Sequence, residues 1–230
     1  MAKIQSTGGC HICGGTFNRM AMTRHVAACG HPKEPSGSPG AAPPAGVSFH
    51  LVVEDARGTY WLHLAVPATA HLKALDQFLR DIWLECCGHL SLFRISGVGY
   101  CSRADRKLGF RGMNVPVGRL LRPRMSFTYE YDFDSTTELK LKVAGIREGA
   151  TAGGKVHLLA RNDEPAMVCG VCDNAPAVEV CSQCLGCAQG AWLCENCAAD
   201  HDCGIEMLLP VVNSPRVGVC AYAGSEGDFS

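Results

Sequence analysis

The feature that most constrains this chain is the grouping of its cysteines into C-x-x-C pairs near both ends. Fifteen of the 230 residues are cysteine, and two thiolates at this spacing can grip one tetrahedral metal ion. The N-terminal residues lack the apolar segment of a secretory signal, so we expect a cytoplasmic protein whose thiols stay reduced. In a reducing environment the pairs predict zinc binding rather than disulfides.

Four candidate ligands lie near the N-terminus, at spacings of two, eleven and three residues: Cys10, Cys13, His25 and Cys29. The histidine and the last cysteine would share one face of a short helix, which lets the four ligands converge. A module of about twenty residues buries too little surface to fold alone, so zinc would supply its folding free energy. We call residues 10–29 the finger.

The finger resembles the Cys-Cys-His-Cys class of zinc fingers, although its loop before His25 is one residue shorter than usual. Fingers of this class bind nucleic acid or proteins. The resemblance makes Arg19, Arg24 and His11 candidate nucleic-acid contacts. A protein-docking or purely structural finger is the alternative, because a single finger reads only about 3 base pairs.

Eight further candidate ligands lie near the C-terminus: Cys169, Cys172, Cys181, Cys184, Cys194, Cys197, His201 and Cys203. Eight ligands suffice for two tetrahedral sites. In an interleaved arrangement the first and third C-x-x-C pairs share one ion, whereas in a sequential arrangement neighbouring pairs do. Cys187 and Cys220 are additional thiols that could replace a ligand. Sites with four protein ligands are closed, so we expect three structural zinc ions in the whole chain.

Changes in composition divide the chain into four predicted parts. Residues 1–31 contain the finger, and residues 32–46, rich in Pro, Gly, Ala and Ser, are predicted to be a flexible linker. Residues 47–160 predict an α+β domain, and residues 165–230 a cysteine-rich zinc-binding module. The expected architecture is therefore an α+β middle domain flanked by small zinc-stapled modules.

The predicted middle domain contains two β-hairpins and one amphipathic helix. FHLVVED and TYWLHLAV form the first predicted hairpin. Residues 68–87 place apolar side chains three and four apart, which predicts a helix ending at Gly88, and LSLFRI predicts a further strand. SFTYEYDF and ELKLKVAGI alternate and predict the second hairpin. In the first of these strands one face would carry Phe127, Tyr129, Tyr131 and Phe133, and the other Thr128, Glu130, Asp132 and Asp134.

The middle sequence from FHLVV to FTYEYDFDSTTELKLKV resembles the plasmid pRiA4b ORF-three-like family. The C-terminal cysteines and LLPVVNSPRVGVCAY resemble an extension found on some members. YEYDFDSTTEL is the most specific piece, although members usually have Gly where this chain has Asp134. The resemblance implies a compact α+β domain and an association with plasmids and transposable elements, without a settled biochemical activity.

Between the two hairpins, seven basic residues are accompanied by a single acid, Asp105. We call these bases the basic strip: Arg103, Arg106, Lys107, Arg111, Arg119, Arg122 and Arg124. Tyr100, Phe110 and Phe127 lie nearby and could stack on nucleic-acid bases, so the strip is a candidate phosphate-binding surface. An ordinary solvated surface is the alternative.

Formal charge is distributed unevenly along the chain. Residues 1–46, 47–160 and 161–230 carry net charges of +3, +4 and −8, respectively. Four thiolates around one dication would not reverse the negative sign of the last segment. We therefore do not expect the C-terminal end to contact the phosphates of a nucleic acid.

Two smaller groups of residues also invite functional interpretations. Cys86, Cys87 and His89 could form a nucleophilic pair or a partial metal site, although a core cysteine and a histidine beyond a helix end fit the pattern better. Arg216 follows Asn-Ser-Pro and is interpreted as a turn-stabilising or salt-bridged arginine.

Carboxylates gather on the second predicted hairpin at Glu130, Asp132, Asp134 and Glu138. They could bind a hard cation or act in acid–base chemistry. A solvent-facing polar side of the strand is the favoured interpretation.

The sequence therefore favours a non-enzymatic, zinc-binding protein of the mobile-element type that associates with nucleic acid through the finger and the basic strip. A protein-binding adaptor that uses the acidic C-terminal module is the second hypothesis. A metal-dependent enzyme using Glu130, Asp132 and Asp134 is the third, and no Ser/His/Asp order, phosphate loop or open zinc site supports it. No apolar run approaches the ~20 residues of a membrane-spanning helix, and we predict no membrane association and no small-molecule substrate.

Overall fold

A large, mostly antiparallel sheet organises the fold in the computed structural model of the chain. The structure describes residues 6–29, 46–105, 107–148, 154–186 and 190–225. Ten strands form the sheet: β1 (Thr7–Cys10), β2 (Thr16–Asn18), β3 (Val47–Asp55), β4 (Trp61–Pro67), β5 (Ser91–Ile95), β6 (Val98–Cys101), β7 (Arg111–Gly112), β8 (Ser126–Tyr131), β9 (Thr137–Glu148) and β10 (His157–Asn162). Their order is β2-β1-β10-β4-β3-β9-β8-β5-β6-β7.

A second, three-stranded sheet lies in the C-terminal region. Its order is β12-β11-β13, with β11 (Glu179–Cys181), β12 (Trp192–Leu193) and β13 (Leu208–Pro210). The helices are α1 (Arg19–Ala28), α2 (Leu72–Leu79), α3 (Val117–Leu120) and α4 (Glu195–Ala199), with a 3₁₀ turn at Ile205–Met207. Of the predicted linker at 32–46, only Gly46 lies within the described residues. The protein is thus mixed α/β and mostly sheet.

The two predicted hairpins are confirmed as antiparallel strand pairs. β3 pairs with β4, with Ser48 opposite Pro67, and β8 pairs with β9, with Ser126 opposite Lys142. β3 and β9 also pair, which joins the two hairpins into one sheet. Alternation gives this sheet two distinct faces, because successive side chains of a strand point to opposite sides.

The turn of the second hairpin differs from the prediction. β8 ends at Tyr131, and Asp132 adopts a left-handed conformation with φ of 63°. The alternation therefore stops, and Phe133, expected on the apolar face, is 46% exposed. Asp132, expected to face solvent, is only 3% exposed. Its carboxylate accepts a hydrogen bond from the Arg216 Nη2 group at 2.7 Å, so a distant arginine explains its burial.

The predicted helix at 68–87 is shorter than its apolar pattern suggested. The backbone N–H groups of Leu72 and Lys73 donate to the carbonyls of Val115 and Met113. Because these two donors are bonded to another segment, they do not extend the helix towards residue 68, and α2 begins at Leu72. After α2, residues Arg80–Leu84 continue as a π-helical turn. The chain then becomes extended at Glu85.

One face of the large sheet and α2 enclose the main apolar core. Leu51, Leu64, Tyr129 and Leu141 contribute from the strands. The helix contributes apolar side chains that are fully buried: Leu72, Leu75 and Leu79. The amphipathic character read from the sequence therefore describes the packed face of α2.

The finger covers part of the opposite face. Met22 and Val26 of α1 are fully buried against Trp61 and Ala65. Along β4, Trp61 and Ala65 alternate with Leu62 and Leu64, which lie in the main core. The sheet is therefore packed on both sides at β4, with the finger as its second layer.

Backbone pairing joins the finger, and residues 7–9 that precede it, to the sheet. β1 pairs with β10, with Gly8 opposite Asn162, and β2 pairs with β1. A side chain at Gly8 would bring its Cβ within 2.5 Å of the Trp61 ring, so the close approach of β1 requires glycine. The sequence separates residues 1–31 from 47–160, whereas the structure places strands from both segments in one sheet.

Candidate metal centres

Four clusters of cysteine and histidine are compatible with zinc binding in the described part of the chain. Within each cluster the ligand atoms all lie within 4.8 Å of one another. The Zn–S and Zn–N distances of tetrahedral sites, about 2.3 and 2.0 Å, imply S···S and S···N edges of about 3.8 and 3.5 Å. These edges are the standard against which each cluster can be compared.

The finger cluster brings together the four ligands of the N-terminal pattern: Cys10, Cys13, His25 and Cys29. Cys10 ends β1, and the following turn is closed by bonds from the Gly14 N–H to the Cys10 carbonyl and from the Cys10 N–H to the Gly15 carbonyl. The Cys13 Sγ and His25 Nε2 atoms are 3.2 Å apart. The strand and turn thus present Cys10 and Cys13, and α1 presents His25; Cys29, predicted on the helix, is instead its extended C-cap residue.

Side chains around the finger fix its helix. Asn18 caps α1 by accepting a hydrogen bond from the Ala21 N–H at 2.9 Å. Phe17 stacks on the His25 ring at 4.0 Å between centroids. Arg147, from β9, donates to the Val26 carbonyl at 2.7 Å and so satisfies the C-terminal end of α1.

The C-terminal ligands form two clusters with interleaved pairing. Cys169, Cys172, Cys194 and Cys197 form one cluster, and Cys181, Cys184, His201 and Cys203 form the other. In the first, the Sγ atoms of Cys172 and Cys194 are 3.9 Å apart. In the second, Cys184 Sγ lies 3.8 Å from Cys203 Sγ and 3.7 Å from His201 Nε2. The geometry brings together the interleaved sets and not the sequential ones.

The backbone prepares one of these thiols for metal binding. Hydrogen bonds from the Cys172 and Cys194 backbone lower the pKa of the Cys169 thiol to about 6. A thiol with this pKa is mostly thiolate at neutral pH, which is the form that binds zinc.

The fourth cluster consists of Cys86, Cys87, His89 and Cys220. The sequence interpretation favoured a core cysteine and a post-helix histidine for the first part of this set and treated Cys220 as a spare thiol of the C-terminal module. The structure instead places Cys220 beside His89, with 3.3 Å between Sγ and Nε2. His89 and Cys220 are 131 residues apart, so no short spacing motif could predict that the four ligands come together. Cys187 lies outside the described residues.

The C-terminal segment is held on the middle domain by buried polar contacts. The fully buried Arg216 pairs with Asp132, and its Nη1 group donates to the Ser135 carbonyl at 3.1 Å. Ser214 donates to the Trp83 carbonyl at 2.6 Å. The interpretation of Arg216 as a salt-bridged arginine is confirmed. Burial raises the pKa of Asp132, but the bonds from Arg216 and from backbone amides outweigh burial, and the pKa is lowered.

The candidate nucleic-acid contacts of the finger differ in availability. Arg19 donates to Glu54 at 2.6 Å, so its charge is already neutralised. Arg24 is exposed.

In the basic strip, Arg106 lies outside the described residues. Arg122 uses its Nη1 group on the carbonyls of Gly118 and Leu121 at 3.0 and 2.7 Å. The members that are exposed are Arg103, Lys107, Arg111, Arg119 and Arg124.

A groove that the sequence interpretation did not identify lies where α1 meets the second face of the sheet. Its volume is about 840 Å³, and its walls include Arg124, Lys140 and Lys142 together with Thr23 and Glu54. In the described residues none of the three cations forms an ion pair, whereas Glu54 pairs with Arg19. The alternation of β9 could have indicated this groove, because it places Lys140 and Lys142 side by side on the face of the strand that points away from the core.

The hairpin carboxylates are not gathered into one site. Glu130 pairs with Arg94 at 2.9 Å. Asp132 is buried against Arg216, while Asp134 and Glu138 are exposed. None of them belongs to the four ligand clusters of the described residues.

No family model matches the chain, and no curated protein matches it. The resemblance to the pRiA4b ORF-three-like family therefore stays without support, as does the mobile-element setting that it implied. A solved structure that is similar is that of MM3350, a protein of unknown function from Methanosarcina mazei Go1. It is 14% identical, with a TM-score of 0.43, over 50% of this chain and 69% of that one. This distant similarity carries no functional argument.

The helices of the described residues are all too short or too polar to cross a membrane. The predicted absence of a small-molecule substrate stays a prediction.

Proposed function

We propose that this protein is a zinc-stabilised, non-enzymatic protein that binds the sugar-phosphate backbone of nucleic acid. The observation that carries the proposal is the groove between α1 and the sheet. Three cations without ion-pair partners in the described residues, Arg124, Lys140 and Lys142, converge on it. The finger cluster, which is compatible with zinc, holds α1 in place as one wall of the groove.

The chemistry of the groove favours phosphates over bases. Lys142 lies between Val52 and Ser126 in the strand register, and Lys140 lies between Glu54 and Thr128. The hydroxyl groups of Ser126 and Thr128 and the ammonium groups of the two lysines are donors that suit phosphate oxygens. The rings of Phe127 and Tyr129 point into the main core, so stacking on bases would fall to other parts of the surface. We therefore expect salt-dependent binding with little sequence preference.

The test is fluorescence anisotropy with labelled 20-nucleotide single strands and duplexes at low and moderate salt. The Lys140→Gln/Lys142→Gln variant is expected to weaken binding roughly tenfold at low salt and to reduce the slope of log K against log salt by about 1.4, since each single-strand phosphate contact contributes about 0.7. Arg57→Gln/Lys73→Gln is the matched control, because it removes the same charge from exposed positions outside the groove.

Equal losses in the two variants would reject the groove as the binding surface. Wild-type affinity no better than that of an unrelated protein of similar charge would reject nucleic-acid binding altogether. The remaining members of the basic strip can be ranked in the same assay. Arg119→Gln should matter more than Arg122→Gln, because Arg122 is already bonded to backbone carbonyls.

A protein-binding adaptor is the second candidate function, and exposed apolar side chains favour it. The C-terminal module exposes Val168, Val171, Val178 and Ile205 at 56, 58, 48 and 85%. With the net charge of −8 over residues 161–230, this composition suits a basic partner with apolar anchors. Retained binding to basic peptides after Lys140→Gln/Lys142→Gln, and its loss after Val171→Ser/Ile205→Ser, would support the adaptor.

The enzymatic alternative rests on Glu130, Asp132 and Asp134. Two of these carboxylates are committed to arginines, so the geometry offers no converging pair for acid–base work. The expectation that the protein is not an enzyme stays a prediction. Metal-dependent nuclease turnover abolished by Asp132→Asn would contradict it.

A further inference from the structure

The fourth cluster joins two segments that are remote in sequence. Cys86, Cys87 and His89 follow the π-helical turn of the middle domain, and Cys220 lies in the segment after the C-terminal module. Cys86, His89 and Cys220 are half-buried, and Cys87 is exposed. The cluster therefore lies at the surface, where two parts of the chain meet.

The interatomic distances of this cluster match those of the other three. Cys87 Sγ and Cys220 Sγ are 4.0 Å apart, and His89 Nε2 is 3.3 Å from Cys220 Sγ. The corresponding S···S distances in the C-terminal clusters are 3.9 and 3.8 Å, and the finger has an S···N distance of 3.2 Å. All of these lie near the edges of a zinc tetrahedron.

A second observation comes from the other nitrogen of His89. Its Nδ1 atom faces the buried Asp132 carboxylate at 3.6 Å, while Nε2 faces the cluster. Metal-bound histidines commonly turn their second nitrogen to a carboxylate, which fixes the ring and its tautomer. The same carboxylate is anchored by Arg216, so its position beside the His89 ring is fixed.

The charges around the cluster are balanced for a dication. Three thiolates and one neutral imidazole around Zn²⁺ give a net charge of −1. The buried Arg216 guanidinium lies beside Cys86 and provides a compensating positive charge. A set of three thiolates and one imidazole favours zinc over the hard cations Mg²⁺ and Ca²⁺.

The loop that carries three of the ligands is fixed in place. The Glu85 carboxylate accepts hydrogen bonds from the Gly88 N–H at 2.6 Å, from Arg80 at 2.7 Å and from the Tyr131 hydroxyl at 3.0 Å. On the other side, Cys220 adopts a left-handed conformation with φ of 51°, which is uncommon for a residue other than glycine. The loop of Cys86, Cys87 and His89 is therefore preorganised.

We propose that Cys86, Cys87, His89 and Cys220 bind a fourth zinc ion that clasps the C-terminal segment to the middle domain. The site has four protein ligands and is closed, so its role is structural. The inference does not depend on nucleic-acid binding, and metal counting tests it separately from the groove.

The experiment is native mass spectrometry of the full, untagged chain loaded with zinc under reducing conditions. Cys220→Ser is expected to bind one ion fewer than wild type. Cys101→Ala is the matched control, because this buried cysteine belongs to none of the clusters in the described residues, and it should bind as many ions as wild type. In wild type, the exposed Cys87 should resist alkylation until a chelator is added.

A second variant keeps the test decisive if Cys220→Ser does not fold. His89→Gln removes one ligand while leaving the C-terminal segment intact, and it should also bind one ion fewer. Equal ion counts in wild type, Cys220→Ser and His89→Gln would overturn the proposal. A disulfide between Cys87 and Cys220 in the wild-type chain under the same conditions would also overturn it. This disulfide would lower the mass by about 2 Da, because its formation removes two hydrogens.

Discussion

The two cysteine-rich ends both carry C-x-x-C ligand pairs but attach to the middle domain in different ways. The finger joins through backbone hydrogen bonds, since β1 extends the large sheet beside β10. The C-terminal module has its own three-stranded sheet and joins through side chains. Val180 and Val217 reach the main core, and Arg216 reaches Asp132.

The difference follows from how much structure each module can support. In the described residues the finger has one candidate metal site and a single short helix. Its apolar side chains are therefore buried by packing against Trp61 and Ala65 of the sheet. Within the described residues, the C-terminal module has two candidate sites between Cys169 and Cys203 and is braced by both. Because it also has its own sheet, the C-terminal module adds no strand to the large sheet, although Val180 and Val217 still pack into the main core.

The largest expected effect comes from removing ligands at each end. Cys181→Ser/Cys203→Ser should lose one zinc and open the C-terminal module, since a structural zinc contributes about 10 kcal/mol or more to its small domain. Limited proteolysis with mass mapping should then place new cuts between residues 168 and 210. Cys10→Ser/Cys29→Ser should instead lower the melting temperature of the whole sheet. The same cut pattern in both variants would remove the distinction between the two attachments.

The next effect concerns the buried ion pair that holds the C-terminal segment. Arg216→Met leaves the Asp132 charge buried without its partner, and we expect a loss of about 3–5 kcal/mol in the free energy of unfolding. Urea denaturation measures this loss. Adding Asp132→Asn removes the stranded charge and keeps a residue that tolerates the left-handed backbone, so the double variant should lose less than the sum of the single ones. Strict additivity would show that the pair is not coupled.

A smaller effect is expected from the layer formed by the finger. Met22→Ala removes a fully buried side chain from the contact with β4 and should cost about 2–4 kcal/mol in one cooperative transition. Met20→Ala is the matched control on the same helix, because Met20 is 76% exposed and should change stability by under about 0.5 kcal/mol. A separate early transition for the finger, seen by differential scanning calorimetry, would contradict its integration into the sheet.

The smallest effect is a pH dependence beneath the finger. Burial, together with the charge of His50, lowers the pKa of the fully buried His63 to about 3. The unfolded chain takes up a proton near pH 6.5 and the folded chain does not, so this contribution to stability is complete above pH 6.5 and declines as the pH falls towards 3. Between pH 7.5 and 5.5 the decline should be about 1.4 kcal/mol.

The measurement compares wild type with His63→Gln in urea at both pH values, so that any loss of zinc common to the two chains cancels. His157→Gln, at an exposed position of β10, is the control and should keep the wild-type pH dependence. An unchanged pH dependence in His63→Gln would show that His63 is protonated in the folded protein.

Local features of the sequence predicted the parts of the fold that depend on neighbouring residues. The alternation around Tyr129 and Leu141 predicted the second hairpin, because a strand with one buried face repeats every two residues. The spacing of Cys10, Cys13, His25 and Cys29 predicted ligands that the structure does bring together. In each case the interacting residues are close in sequence.

The parts that could not be predicted depend on distant segments. The pairing of β1 with β10 joins Gly8 to Asn162, and nothing in either short strand identifies its partner. Asp132 looked like a solvent-facing carboxylate because Arg216, 84 residues away, was not in view. Cys220 lacks a partner at metal-ligand spacing, so only the folded chain shows its place beside His89.

The order of the large sheet has a consequence for self-association. Its two outer strands, β2 and β7, have three and two residues, and such short edges offer little backbone for another chain to pair with. The finger supplies one of these edges. While the finger and the sheet stay folded together, the six-residue strand β10 is paired on both sides and is not an edge. Zinc depletion, by lowering the stability of the whole sheet, would expose this longer strand and favour aggregation at temperatures where the zinc-loaded protein stays folded.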